Sequence, residues 1–102
     1  EDWQGAMLDF TRAVQLDSSL ADAYHNRSRL HVASGDMTLA AKDLSEVVAL
    51  EPDRPGLYME RAQLYVAIGD FDRAIADLEQ VLSRTSDDRQ LAAARELLAG
   101  LR

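Results

Sequence analysis

Along the chain, apolar residues recur at intervals of three and four. Ala40, Leu44, Val47, Val48 and Leu50 trace one such stripe, and Ala74, Leu78 and Val81 another. This is the period of a helix with one buried face. Gly35-Asp36 and Gly69-Asp70 stop two of these stripes, because glycine tolerates the left-handed conformation that ends a helix. The aspartate that follows can cap the next helix, with Asp2 the equivalent residue near the start. Ser19, Asp53 and Asp87 fall at the cap position of the alternate helices, and Pro55 suits a first helical turn. The pattern predicts helices over about 2–16, 20–34, 37–51, 54–68, 71–84 and 88–99.

The stripes belong to a longer period. Shifting the sequence by 34 residues aligns 21–54 with 55–88 without a gap, and 12 of the 34 pairs are identical. Tyr24/Tyr58, Arg27/Arg61, Leu30/Leu64, Gly35/Gly69, Asp43/Asp77 and Leu44/Leu78 are among them. Asp2, Ala6, Asp9, Val14 and Leu16 extend the register backwards. The division expected is a half repeat over 1–20, repeats over 21–54 and 55–88, and a C-terminal capping helix over 88–102. Small residues at Ala6, Ala40, Ala74, Ser28 and Ala62 let paired helices approach closely. Trp3, Met37 and Phe71, and Phe10, Leu44 and Leu78, are expected to fill the adjoining core.

These positions resemble the tetratricopeptide repeat, a helix–turn–helix unit of 34 residues. Its aromatic at position four is Tyr24 and Tyr58, and its small residues at eight and twenty are Ser28, Ala62, Ala6, Ala40 and Ala74. Its glycine at fifteen is Gly35 and Gly69, and its proline at thirty-two is Pro52. Arg27 and Arg61 replace the usual leucine, His31 the usual tyrosine, and Ser18 and Ser86 the proline. Asn26 beside Arg27 resembles the bacterial style of the repeat. The resemblance implies an all-α, right-handed solenoid of antiparallel helix pairs. It also implies a concave groove lined by the first helix of each repeat. The groove positions it implies are Asp22, His25, Asn26, Arg29, Val32 and Ala33, then Gly56, Met59, Glu60, Gln63, Val66 and Ala67. The spacing of His25, Arg29 and Val32, and of Met59, Gln63 and Val66, puts each set on one helical face. Some members of the family clamp acidic C-termini with basic residues and asparagine. Asn26 fits such a clamp, but Glu60 stands where it needs a polar or basic group and would repel an acidic tail.

The charged residues repeat too. Asp9, Asp43 and Asp77 lie 34 apart, as do Arg27, Arg61 and Arg95. Each aspartate precedes an arginine by 18 residues, so ion pairs Asp9–Arg27, Asp43–Arg61 and Asp77–Arg95 are expected between stacked repeats. The net charge of −7 weighs against nucleic acid as a partner, and no run is apolar enough for membrane insertion. There is no cysteine, His25 and His31 are not spaced as a metal pair, and no serine has a histidine to activate it. No catalytic residue, metal site or cofactor is therefore read from the sequence.

Two functional readings remain. One is a non-catalytic scaffold that holds a peptide or helix of a partner protein in the groove. The other is a structural segment of a larger protein that associates through its first helix. The sequence opens inside a repeat, so Trp3, Met7, Phe10 and Val14 are expected to leave an apolar stripe uncovered and to favour a homodimer.

Overall fold

The computed structural model describes residues 3–102, so Asp2 and its expected cap lie outside the described residues. Within them the fold is all-α and carries no strand. Its six helices are α1 (Trp3–Leu16), α2 (Ala21–Ala33), α3 (Met37–Leu50), α4 (Pro55–Ile68), α5 (Phe71–Arg84) and α6 (Asp88–Leu101). They form two compact units, α1–α3 and α4–α6, divided between Glu51 and Pro52.

In the first unit α2 packs against both α1 and α3. Ser28 and Ala40 are buried on facing helices, and the Ser28 hydroxyl donates to the Ala40 carbonyl at 2.9 Å. A backbone reached directly by a side chain of this size requires close approach, which explains the small residues. Leu44, Val47 and Val48 complete the core with Val14. In the second unit α5 packs against α4 and α6, and Leu57, Tyr58, Leu64, Leu78, Val81 and Leu98 are buried. The Tyr58 hydroxyl donates to the Pro52 carbonyl at 3.0 Å, satisfying the polar end of a buried ring.

Both glycine stops operate as expected. Gly35 and Gly69 have φ of 84° and 89°. At each, the glycine N–H and the following aspartate N–H turn back to helix carbonyls, Val32 and His31 in α2 and Val66 and Tyr65 in α4. That is the doubly bonded Schellman ending. Asp36, Asp70 and Asp87 cap α3, α5 and α6 by accepting backbone N–H bonds.

Ser19 and Asp53 do not cap. The N-cap residues of α2 and α4 are Leu20 and Arg54, without a side-chain bond. Ser19 is held instead by Asp17, whose carboxylate accepts from its N–H at 2.9 Å and its hydroxyl at 2.6 Å. Those bonds favour the charged form and hold the Asp17 carboxyl below its usual range. Asp53 is exposed and lies 3.6 Å from Arg84.

One packing expectation fails. Trp3 and Phe71 are about half exposed and Met37 is only partly buried. Each is the first residue of its helix, where few neighbours remain to cover a large side chain. Leu44 and Leu78, in mid-helix, are fully buried.

Candidate functional site

The arginines that depart from the usual leucine are tied down. Arg27 donates to Asp43 through Nε at 2.7 Å and Nη2 at 2.6 Å, and Arg61 donates to Asp77 at 2.9 and 2.6 Å. Both aspartates are buried, and the two-pronged geometry satisfies both carboxylate oxygens. The bond to Asp43 raises the Arg27 pKa despite burial, and Asp77 does the same for Arg61. Both guanidinium groups therefore stay charged at any pH compatible with folding. Tyrosine rings flank them: Tyr24 lies 5.7 Å from Arg27, and Tyr58 and Tyr65 lie 5.9 and 5.7 Å from Arg61. His31, at the register of Tyr65, places Nε2 3.5 Å from Asp43.

This corrects the expected pairing. The partners of Arg27 and Arg61 lie 16 residues ahead, on the second helix of the same pair, in place of the expected Asp9–Arg27 and Asp77–Arg95 pairs. Asp9 and Arg95 are exposed and, among the described residues, stand in no ion pair. Neither has a counterpart at the 16-residue spacing within the sequence. Arg27 does reach the preceding helix, but by a weaker 3.4 Å bond to the Thr11 hydroxyl.

With these charges engaged, the second unit holds a hollow lined mainly by apolar residues. Met59 and Gln63 of α4 face Ala93, Glu96, Leu97, Gly100 and Leu101 of α6 across a hollow of about 470 Å3. Two of the implied groove residues are thus brought together with a wall that the sequence reading treated only as a cap. The repeat signal reaches it: adding 34 to Met59, Gln63, Val66 and Ala67 gives Ala93, Leu97, Gly100 and Leu101. Val66 and Glu60 are half-buried beside this hollow in sequence, and Glu60 is engaged by a neighbour.

On α2 of the first unit, Asp22, Arg29 and Val32 are exposed and Asn26 is half-buried. His25 is the exception among the implied groove residues, at 9% exposure. Because α2 packs against helices on two sides, its free face is narrower than the resemblance implies, and His25 falls outside it. The apolar stripe of α1 is also shorter than expected. Val14 is buried and Met7 and Phe10 are half-buried, because α2 covers that side of the helix. Trp3 stays 46% exposed and borders a second hollow, of about 340 Å3, with Leu30, Ala33 and Ser34.

Among the described residues no group of three or more histidines or carboxylates could hold a metal ion, and no helix is long and apolar enough to cross a membrane.

Two family profiles described as tetratricopeptide repeat match the sequence, one over residues 45–99, more than half of the chain, and one over residues 21–54. Comparison with curated proteins finds no match. Solved structures share the fold. The first tetratricopeptide domain of Spaghetti (RPAP3), bound to the HSP90 peptide SRMEEVD, is 20% identical with a TM-score of 0.78, over 98% of this chain and 77% of that one. The Yersinia enterocolitica type III secretion chaperone SycD, in complex with a peptide of the translocator YopD, is 15% identical with a TM-score of 0.83, over 98% and 79%. The second such domain of human RPAP3, in complex with the HSP70 peptide SGPTIEEVD, is 21% identical with a TM-score of 0.79, over 97% and 80%.

Proposed function

Given that the chain belongs to the tetratricopeptide repeat family, we propose that it is a non-catalytic protein-interaction scaffold that holds a peptide or helix of a partner protein in the α4–α6 hollow. The observation that carries this reading is the hollow itself. Met59, Leu97 and Leu101 offer an apolar floor, Gln63 can both donate to and accept from a peptide backbone, and about 470 Å3 suffices for more than one side chain. Structural neighbours that hold peptides support it by analogy of fold. The hydroxyls of Ser28, Ser45 and Ser83 all donate to backbone carbonyls, an arrangement that suits structure rather than nucleophilic chemistry.

A photo-crosslinking residue placed at Gln63 tests the reading against the same residue at Lys42, which is exposed on α3 of the other unit. The expected outcome is a partner-dependent adduct at 63 and none at 42. Equal labelling at both positions would count against the hollow.

The second reading, self-association through α1, has its own observation: half-exposed Trp3 and Leu8 on α1, with Trp3 also bordering a hollow. It predicts a dimer lost on Trp3→Asp and indifferent to changes at Gln63.

A further inference from the structure

Resting on that reading of the α4–α6 hollow, we propose that its occupant is a peptide carrying an aliphatic anchor beside a lysine or arginine, not an acidic tail. The floor is made by Met59, Leu97 and Leu101, which select an aliphatic side chain. The only charged group on its wall is Glu96, which is exposed and, among the described residues, stands in no ion pair. Arginines nearby in sequence do not line the hollow. Arg102 is bound to Glu79 at 2.9 Å. Arg95 is two residues from Leu97, roughly 200° around the helix and so on the far side. Arg89 lies on the same side as Glu96 but two turns away, roughly 10 Å along the axis. The one charge on the lining of the hollow is therefore negative, on a chain whose net charge is −7. A cation seated against Glu96 gains the attraction, and a carboxylate there meets repulsion.

Gly100 supplies a clean control. It lines the hollow, and a Cβ built on it meets nothing within 4 Å. A larger residue there is expected to project into the hollow, and any residue but proline suits the last helical turn better than glycine. The experiment is selection of a random displayed peptide library on the full chain, without depletion, followed by affinity measurement of the enriched peptides on the parent chain and on Gly100→Leu.

The expected result is enrichment of Leu, Ile or Met adjacent to Lys or Arg. Replacing that cation by Glu should weaken binding at least about fivefold. Glu96→Lys should invert the preference toward acidic peptides, with thermal melting unchanged. Enriched peptides that are acidic, or that keep their charge preference in Glu96→Lys, would overturn the proposed chemistry while leaving the hollow as a binding site. Peptides that bind Gly100→Leu as well as the parent chain would overturn both this inference and the reading it rests on.

Discussion

The two arginine–aspartate pairs show how one residue choice propagates. A guanidinium in place of the family's usual leucine brings a charge into a partly buried seam, and Asp43 or Asp77 must meet it there. Removing one partner leaves the other desolvated and unpaired. Asp77→Asn is expected to lower unfolding free energy by about 2 kcal/mol, below the full buried-pair value because Arg61 keeps some solvent contact. Asp9→Asn, at the same repeat position but exposed, is expected to change it by less than about 0.5 kcal/mol. Urea denaturation of both variants checks the contrast. Equal effects would contradict the 16-residue pairing. The sequence makes the composition of these pairs legible but not their partners. A 34-residue period gives Asp43 and Asp77 two arginines each at similar spacing, one 16 residues behind and one 18 ahead. The structure pairs each with the arginine 16 residues behind it.

Helices were the most legible scale, because their signals are local. Stripes of apolar residues, glycine stops and aspartate caps lie within a few residues of each boundary, and the ends of α3, α4 and α5 fall within a residue of expectation. Ser19 misled because an exposed serine can serve the preceding turn as readily as the following helix, and Asp17 claims it. Glycines separate into two kinds at this scale. Gly69 has φ of 89°, so Gly69→Ala should cost about 1 kcal/mol even though a Cβ there meets nothing within 4 Å. Gly100 lies within α6, and Gly100→Ala should stabilise by up to about 1 kcal/mol. Thermal melts of the two variants should move in opposite directions. A shared direction would mean that one of these backbone assignments is wrong.

At the scale of the whole molecule, the −7 charge weighs against a polyanion as partner, and the apolar hollow is the feature on which the proposed peptide binding rests. The site was half legible. Met59 and Gln63 followed from the family register, whereas Leu97, Gly100 and Leu101 needed that register carried one repeat further into a helix whose polar residues suggested a mere cap. His25 could not be excluded from sequence, because its burial depends on α2 being flanked on two sides. Where a bound peptide sits tests the proposed α4–α6 hollow most directly. Hydrogen exchange of the full chain, with and without a library-selected peptide, reads that location amide by amide. Slowed exchange confined to 59–67 and 93–101, with 37–50 unchanged, is the predicted result. Protection confined to α1, or spread evenly over all six helices, would contradict it.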